Sequence, residues 1–259
     1  MATYVFSDVH GHRAALERVL MRVSPVAGDA IFCLGDMIDR GPDPVGVLRV
    51  VRSLAGATAL IGNHEDLMLD VLRNEGDPIA YMNWAINGGG VTAEGLDALA
   101  DDEREDLLAW VRSCPRSAHV RVGERLYLLA HAGVSLSAPA PETWDDAGAE
   151  AYLAAQGDEE LTWIREEFWC APHGLSGDDG LGPVVVAGHT PTPYLERMGA
   201  ELERSPFDEN GLARMVRVGA ARDRWDIDAG AAGGAGFGQV LMLRLDDGEE
   251  FYEPIREGE

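Results

Sequence analysis

The sequence predicts an α/β fold whose parallel strands end in polar loops. Three apolar runs, at 3–6, 30–34 and 58–61, alternate with segments of helical spacing in the first part of the chain. Each run is followed by a polar loop and then by a helix pattern, which is the order of repeated βαβ units. Because parallel strands end at one edge of a sheet, the loops after them are expected to lie together there.

The later part of the chain mixes helix and strand patterns. Residues 78–113 have helical spacing, interrupted by NGGG at 87–90, whose backbone amides either cradle an anion or simply end a helix. Residues 158–168 predict one helix with Asp158 as its N-cap. The remaining apolar runs predict strands: 119–122 and 125–130 as a hairpin, then 183–187, and finally RMVRVG, RWDID and QVLMLRL.

One domain over residues 1–259 is predicted, because neither a linker nor an internal repeat divides the chain. Residues 134–182 are rich in proline, acid and glycine, and we expect them to shape the rim of a pocket. Residues 246–259 are expected to form an acidic tail at a solvated edge. With 46% hydrophobic and 25% charged residues, the chain has the composition of a globular protein with a substantial core.

Charge and residue usage exclude several classes of function. The formal charge of −24 disfavours nucleic acid and anionic membranes as partners. No apolar run has the length of a membrane span and no secretory signal is visible, so a cytoplasmic location is predicted. All the basic residues are arginines, which excludes Schiff-base and P-loop lysine chemistry. Three widely spaced cysteines, Cys33, Cys114 and Cys170, predict reduced structural thiols.

Five loops that follow apolar runs carry residues able to bind a metal. They read SDVHG, GDMIDRG, GNHE, HAG and GHT. Oxygen and imidazole ligands without thiolate suit a divalent ion such as manganese, iron or zinc. Six protein ligands are too many for one catalytic ion with an open position, so two ions about 3.5–4 Å apart that share a carboxylate are predicted. The candidate ligands are Asp8, His10, Asp36, Asn63, His131 and His189.

Each loop taken alone has a simpler interpretation. In GDMIDRG the acids and Arg40 could form an ordinary surface ion pair, and a single histidine after a strand is usually structural. The occurrence of all five loops in one chain favours the metal site. His12, His119 and His173 lack such a loop, and of these we expect His12 to lie nearest the site.

The series DVHG, GDMIDRG, GNHE, HAG and GHT resembles the calcineurin-like metallophosphoesterases, and within them the phosphoprotein phosphatases of bacterial and bacteriophage-lambda type. The resemblance implies a central β-sandwich of mixed sheets flanked by helices, with the active site at the carboxyl ends of the strands. It also implies two divalent metal ions, Mn²⁺ first, with Fe or Zn as alternatives. The segment DIDAGA departs from the family at Ala229, where threonine is common, so Asp228 receives no role.

The resemblance implies a role for each candidate residue. Asp8 and His10 would hold one metal, Asp36 would bridge to the second, and the other three ligands would complete that second site. Asp39 and His64 would form the catalytic acid dyad. The substrate phosphate would be bound by Arg40 and Arg165.

Arg165 also has an interpretation from its position in the predicted helix. It lies beside an apolar stripe that includes Leu161 and Phe168, where a cation at the edge needs a partner such as a phosphate. The alternative is an ion pair with Glu166, Glu167 or another acid.

The implied function is hydrolysis of a phosphate monoester by direct attack of a metal-bridging hydroxide. GNHE favours a serine/threonine protein phosphatase, with phosphotyrosine as a further substrate, acting on a phosphorylated protein or a small phosphoester. The alternative is a symmetrical bis(5′-nucleosyl)-tetraphosphatase, whose loop more often reads Gly-Asn-His-Asp. A non-catalytic interaction module of the same fold is a more distant alternative, because the catalytic set is complete. The oligomeric state is not predicted.

Overall fold

Two mixed β-sheets of five strands each form the centre of the protein, as seen in a computed structural model that describes residues 1–176 and 182–259. Strands are numbered along the chain. In spatial order the first sheet contains Glu250–Pro254 (β10), Gln239–Arg244 (β9), Thr3–Phe6 (β1), Ala30–Cys33 (β2) and Ala57–Ala59 (β3). The second sheet contains Ser117–Val122 (β4), Arg125–Ala130 (β5), Val184–Ala187 (β6), Arg224–Asp226 (β8) and Val216–Val218 (β7).

Each sheet contains three neighbouring parallel strands, which lie at one side of the first sheet and in the middle of the second. In the first sheet β1, β2 and β3 run parallel, as the βαβ pattern predicts, and β9 and β10 are antiparallel. In the second sheet β5, β6 and β8 run parallel, and β4 forms the predicted hairpin with β5. The carboxyl ends of six parallel strands therefore supply loops for one site.

Alternation along the strands explains why the two sheets pack face to face. In β1, Val5 joins a buried cluster with Leu129, Val186 and Leu241, which come from β5, β6 and β9. Its neighbour Phe6 belongs to a different cluster, between the first sheet and its helices. Since side chains alternate across a strand, every such strand is apolar on both faces. The predicted sandwich of mixed sheets flanked by helices is confirmed.

Helices cover the two outer faces of this sandwich. Within the described residues, Arg13–Val23 (α1), Pro44–Ser53 (α2), Asn63–Arg73 (α3), Pro78–Ile86 (α4), Gly90–Asp97 (α5) and Asp101–Ser113 (α6) lie on the side of the first sheet. The side of the second sheet carries Asp146–Ala154 (α7), Asp158–Trp163 (α8), Glu166–Trp169 (α9) and Thr192–Met198 (α10). A 3₁₀ turn spans Ala231–Gly233.

The prediction of one helix over 158–168 is wrong, because the chain leaves the helix between α8 and α9. Gly157, not Asp158, is the N-cap, and Arg165 has φ −133° and ψ −91°. The carbonyl of Leu161, which would accept the Arg165 amide in a continuous helix, instead accepts the Ala132 amide at 2.8 Å. A loop of the second sheet therefore ends this helix.

The NGGG segment ends one helix and begins the next. The Gly88 amide donates to the Ala85 carbonyl, and the Gly89 amide donates to the Trp84 carbonyl, both at 3.0 Å. These two amides are used inside the helix end, so the alternative in which they cradle an anion is wrong. Instead the Gly88 carbonyl accepts the Arg40 amide at 3.2 Å.

The two segments predicted to form a solvated edge and a pocket rim both contain regular secondary structure. The tail 246–259 includes β10, which is an edge strand as predicted but is half-buried, and Arg18 binds Glu253 and Glu259 across it. The segment 134–182 contributes α7, α8 and α9, and its part 177–181 lies outside the described residues.

Two further predictions concerned the three cysteines and the absence of a membrane-spanning segment. Cys33, Cys114 and Cys170 are unpaired thiols, and burial raises the pKa of Cys114 to about 12. Within residues 1–176 and 182–259, none of the helices combines the length and apolar character that crossing a bilayer requires.

Candidate active site

The six candidate metal ligands converge at the common edge of the two sheets. Asp8, His10, Asp36 and Asn63 follow strands of the first sheet, and His131 and His189 follow strands of the second. The backbone amide of His189 donates to both carboxylate oxygens of Asp8, at 3.1 and 3.0 Å. This contact joins loops that are about 180 residues apart in sequence, and it shows how the sandwich assembles the site.

One potential metal-binding group contains His10, Asp36 and His64. Their ligand atoms all lie within 4.8 Å of one another. The His10 Nε2 atom is 3.4 Å from Asp36 Oδ2, and His64 Nε2 is 3.9 Å from the same oxygen. The predicted first site combined Asp8 with His10 and Asp36, and this group contains His64 in place of Asp8. The place of Asp8 among the ligands stays a prediction, although its charge acts on Asp36.

A second group contains Asp36, His131 and His189, again with ligand atoms within 4.8 Å. The Asn63 Oδ1 atom lies 2.9 Å from His131 Nε2 and 2.8 Å from His189 Nδ1. Asp36 presents its other oxygen here, since His131 Nε2 is 3.4 Å from Oδ1. The two oxygens of Asp36 thus face two different groups, which is the arrangement that a bridging carboxylate requires.

Hydrogen bonds fix which nitrogen of the histidines is free. Nδ1 of His10 lies 3.1 Å from the Ile38 carbonyl, and Nδ1 of His131 lies 2.9 Å from the Leu34 carbonyl. A carbonyl only accepts, so each Nδ1 carries the proton and each Nε2 lone pair faces the site. Burial lowers the pKa of His10, His131 and His189, which favours the neutral form that binds metal.

The carboxylates of the site lack sufficient positive charge among the protein groups. Burial raises the pKa of Asp36 well above its ordinary range, and the charges of Asp8 and Glu65 add to the effect. Burial, followed by the charge of Asp8, also raises the pKa of Asp228. Divalent cations would supply the missing charge, and the neutral imidazole lone pairs would complete their coordination. The donor set therefore fits two such ions.

Asp228 belongs to the site, where its charge acts on Arg165, although no role was predicted for it. It follows β8 and is 3% exposed, and its carboxylate accepts the Gly230 amide at 2.8 Å. Ala229 leaves this position intact, because the backbone holds the carboxylate. The strand pattern could have indicated Asp228, as β8 is the sixth parallel strand to end at this edge.

Backbone strain is concentrated in the same loops. A non-glycine residue with positive φ is uncommon and costs energy that the surrounding structure must supply. The hydrogen-bonded loops of the site hold six residues in this conformation: Asp8 (52°), His10 (45°), Asp36 (51°), Asp39 (69°), Arg40 (68°) and His189 (68°).

Glu65 secures the central loop and was not identified from the sequence as a site residue. It is fully buried, and its carboxylate accepts the amides of Asp36 at 2.9 Å, Met37 at 2.8 Å and Gly62 at 2.9 Å. Three amide donors offset part of the cost of burying this charge. Glu65 does not line the cavity of the site, so its part is to hold Asp36 in place.

Asp39 orients His64 through a fully satisfied carboxylate. His64 Nδ1 lies 2.6 Å from Asp39 Oδ2, while Thr92 Oγ1 donates to Asp39 Oδ1 at 2.6 Å. The indole nitrogen of Trp84 also donates to Asp39, at 3.0 Å from Oδ2. The Nε2 atom of His64 is therefore directed towards the centre of the site. Thr92 and the polar contact of Trp84 were not predicted.

Arg40 is directed into the site and does not form the surface ion pair considered above. Its guanidinium donates to His10 Nε2 at 3.1 Å and to His64 Nε2 at 2.8 Å. Because a guanidinium can only donate, both Nε2 atoms act as acceptors here. Arg40 thus provides positive charge beside the histidines.

Arg165 reaches the site from the break between α8 and α9. Its Nη1 donates to the His189 carbonyl at 3.3 Å and to Thr190 Oγ1 at 3.1 Å. Within residues 1–176 and 182–259, no carboxylate lies at ion-pair distance, so the predicted alternative of pairing with Glu166 or Glu167 is wrong. Burial lowers the pKa of Arg165, while the charges of Asp228 and the other site acids oppose that effect.

A cavity of about 320 Å³, called the catalytic cavity below, opens onto these groups. Two of its aromatic walls are partly exposed: Trp163 at 38% and Tyr194 at 42%. Its other lining residues include Asp36, Arg40, Asn63, His64, Arg165, His189 and Phe237. A phosphate in this cavity would meet both arginines and the two potential metal groups.

His12 takes no part in this site. Its Nδ1 lies 3.0 Å from the carbonyl of Glu259, in contact with the carboxyl-terminal segment. Its side chain does not line the catalytic cavity, and that it lies nearest the site among the three remaining histidines stays a prediction.

Comparisons with known proteins place the site in a family context. The profile of a family described as calcineurin-like phosphoesterase matches residues 1–219. A symmetrical bis(5′-nucleosyl)-tetraphosphatase of Erwinia tasmaniensis is 34% identical over an alignment 288 residues long. The alignment covers 99% of this chain and 98% of that protein. The enzyme of that name from Paracidovorax citrulli is 35% identical over 195 residues, covering 72% of this chain but only 65% of its own length.

Among solved structures, a protein serine/threonine phosphatase from Saccharomyces cerevisiae aligns with 100% of this chain and 81% of its own. The TM-score is 0.53 and the sequence identity is 16%, which is a likeness of fold alone.

Proposed function

Since the chain belongs to the calcineurin-like phosphoesterases, we propose that it hydrolyses bis(5′-nucleosyl) tetraphosphates symmetrically, releasing two nucleoside diphosphates. The observation that carries this proposal is the similarity to the Erwinia tasmaniensis tetraphosphatase, which extends over nearly the whole length of both proteins. This replaces the protein phosphatase as the favoured function. Hydrolytic attack at a phosphorus atom is common to both, but the bond broken is an anhydride in the tetraphosphate and an ester in the phosphoprotein.

The GNHE loop, which favoured a protein phosphatase, does not discriminate between the two substrates, because of where Glu65 lies in the structure. The preference rested on GNHE in place of GNHD, a difference of one methylene. Glu65 accepts three backbone amides in the interior and does not line the catalytic cavity. Its identity therefore bears on how the loop is held and not on which substrate is bound.

The proposed metal ligands are the six predicted residues, with Asp36 shared between the two ions. When bound, two divalent ions would supply positive charge at the transferred phosphoryl group and lower the pKa of a coordinated water. The carbonyls of Ile38 and Leu34 keep the histidine lone pairs directed at these positions.

Arg40 and Arg165 are the proposed phosphate-binding residues. A tetraphosphate chain is strongly anionic, and the protein's formal charge of −24 repels it. Cationic groups within the cavity must therefore offset this repulsion. A guanidinium can donate two parallel hydrogen bonds to a phosphate group. The two arginines line the same cavity and would hold neighbouring phosphates.

His64 is the proposed proton donor to the leaving group. Water adds to the phosphorus, the bond to the bridging oxygen breaks, and that oxygen leaves with the second nucleoside diphosphate. Nδ1 of His64 donates to Asp39 at 2.6 Å, and Nε2 accepts from Arg40 at 2.8 Å in this structure. To act as the donor, Nε2 must carry a second proton, with the Arg40 guanidinium bonded to the substrate phosphate instead. A diphosphate leaves readily without full protonation, so this residue matters less for an anhydride than for an alkyl phosphate.

A side-by-side assay with Mn²⁺ tests the proposal. The substrates are diadenosine tetraphosphate, a phosphothreonine peptide and 4-nitrophenyl phosphate. We expect kcat/KM to be highest for diadenosine tetraphosphate, by about tenfold or more, which corresponds to about 1.4 kcal/mol of transition-state stabilisation. ADP should be the sole nucleotide product. A product mixture of AMP and ATP, or a higher kcat/KM for the peptide, would contradict the proposal.

A further inference from the structure

A second cavity, of about 610 Å³, lies next to the catalytic cavity and shares two residues with it. Trp163 and Arg165 line both cavities. The other walls of the second cavity are Ser135, Glu159, Glu160, Ile164, Glu166, Glu167 and Met198, and we call it the acidic cavity. Its volume lies within the range of small-molecule sites, roughly 300–1,000 Å³.

Trp163 stands between the two cavities because the helix ends there. It is the last residue of α8, and the chain turns away at Ile164 with ψ 140°. Its ring makes a T-shaped contact with the His189 ring, at a centroid distance of 5.7 Å and an interplanar angle of 81°. With 38% of the residue exposed, part of the indole is available to a ligand beside a predicted metal ligand.

The charge of the acidic cavity differs from that of the catalytic cavity. Four glutamates line it, and Arg165 is its one basic lining residue among those that the structure describes. Carboxylates repel a phosphate chain, but they accept hydrogen bonds from an amino group. The acidic cavity therefore favours a neutral flat ring with an exocyclic amine over any part of a polyphosphate.

We propose that the acidic cavity receives one nucleobase of the substrate, with Trp163 as the surface on which the base stacks. This inference rests on the proposed function and names its base-binding site. Arg165, at the boundary of the two cavities, holds the phosphate chain where it leaves the catalytic cavity. Trp163 is then a specificity-determining residue, and the acceptor carboxylates favour bases with an amino group, such as adenine.

A basic peptide segment is the competing occupant of an acidic cavity. Lysine or arginine next to a phosphothreonine would also find carboxylates there, and a cation can lie over an indole. Arg165 disfavours this occupant because it lines both cavities, so a chain that passes from one cavity to the other meets a guanidinium, which repels a second cation. A nucleotide avoids this repulsion, because its base is neutral and its phosphate is attracted to the Arg165 guanidinium.

Equilibrium binding of ADP and pyrophosphate to the Mn²⁺-loaded protein tests the proposal. Stacking of a base on an aromatic side chain commonly accounts for about tenfold in affinity or more. We expect the wild type to bind ADP about tenfold more tightly than pyrophosphate, and Trp163→Ala to reduce this ratio to below about twofold. The dissociation constant of pyrophosphate should be unchanged, and Trp163→Phe should retain most of the preference.

Tyr81→Ala is the matched control, because Tyr81 is an exposed aromatic residue on α4 that lines neither cavity. It should leave both dissociation constants unchanged. If Trp163→Ala weakens ADP and pyrophosphate equally, Trp163 is only structural and the proposal is overturned. It is also overturned if the variant raises KM for an arginine-flanked phosphothreonine peptide and leaves ADP binding unchanged.

The two proposals fail in different ways. A wild type that does not hydrolyse diadenosine tetraphosphate, but prefers ADP through Trp163, would retain the base site and overturn the tetraphosphatase function. A wild type that hydrolyses this substrate, with an ADP preference that Trp163→Ala does not alter, would overturn the base site alone.

Discussion

The two sides of the catalytic cavity are built differently. On the side of the first sheet, Asp36 is held through Glu65, and Asp39 is held by Thr92 and Trp84, all with buried hydrogen bonds. On the side of α8 and α9, Arg165 makes two longer contacts, and its neighbour Trp163 is 38% exposed. The first side, called the rigid side below, fixes the geometry that attack on a phosphorus atom needs. The second side, called the adaptable side below, leaves groups available for the substrate, so we expect specificity to be determined there.

The largest effect is expected from Asp36→Asn, which acts on the rigid side. The amide offers one oxygen acceptor in place of two carboxylate oxygens and removes the charge shared by both metal groups. We expect both metals to bind weakly and kcat to fall by about 10⁴-fold, equivalent to about 5 kcal/mol. Metal content by mass spectrometry and kcat for diadenosine tetraphosphate measure the two effects.

Asp223→Asn is the control for a buried carboxylate elsewhere. Asp223 is 1% exposed and accepts the Ser176 amide at 2.7 Å, outside the catalytic cavity. It should keep its metal content and its kcat at a temperature where it is folded. An Asp36→Asn variant that retained both ions and full activity would remove the bridging role.

The next effect is expected from His64→Ala, which also acts on the rigid side. A positioned general acid contributes about 10²- to 10⁴-fold, with the larger values for poor leaving groups. The loss of kcat should therefore be greater for an alkyl phosphate than for diadenosine tetraphosphate. His12→Ala, which removes a buried histidine outside the cavity, should leave both rates unchanged. Equal losses with the two substrates would argue against proton donation.

A smaller effect is expected from Arg165→Ala, on the adaptable side. Hydrogen bonds to charged groups contribute about 1.5–3 kcal/mol, so KM for diadenosine tetraphosphate should rise by about 10- to 100-fold. Metal content should not change, since Arg165 is not a metal ligand. Arg112→Ala removes an exposed arginine that pairs with Glu105 and should have no effect on KM. An unchanged KM in Arg165→Ala would place the phosphate elsewhere.

The smallest effect is expected in how the Tm difference between the metal-loaded and the metal-free protein changes with pH. Burial raises the pKa of Asp36 and Asp228 above the ordinary value of 3.8, so each binds its proton more tightly in the folded chain. The stability that this provides is complete below 3.8 and is lost as the pH rises through the raised pKa values. Bound cations would stabilise the ionised carboxylates and so offset the free-energy cost of burying their charge.

The difference in Tm between the Mn²⁺-loaded and the EDTA-treated protein should therefore widen by a few degrees from about pH 5 to about pH 7.5. Differential scanning calorimetry at matched ionic strength measures it. A difference that stays constant or narrows with rising pH would show that these carboxylates are not the groups that the ions neutralise.

The sequence predicts that the candidate metal ligands lie at one edge of the sandwich, because these residues follow strands. Asp8, Asp36 and Asn63 could be placed at one edge from the order of the βαβ units alone. Asp228 could have been added by counting RWDID as a further parallel strand. The contacts of Asp39 with Trp84 and Thr92 could not be predicted, since they depend on how α4 and α5 pack and not on any local pattern.

The adaptable side was predicted less well. The residues 158–168 have good helical spacing, and the break at Arg165 depends on a hydrogen bond from Ala132, which is about 30 residues away. Arg165 does reach the cavity, although not on the helix face from which the prediction was made. Tertiary contacts thus override local preference where the substrate is expected to bind.

The central claim is that six side chains hold two divalent ions that share Asp36. Anomalous diffraction from crystals soaked in Mn²⁺ tests it most directly. The account predicts two peaks about 3.5–4 Å apart, one near Asp8 and His10 and the other near Asn63, with Asp36 in contact with both. A single peak that does not touch Asp36, or no peak among these residues, would contradict it.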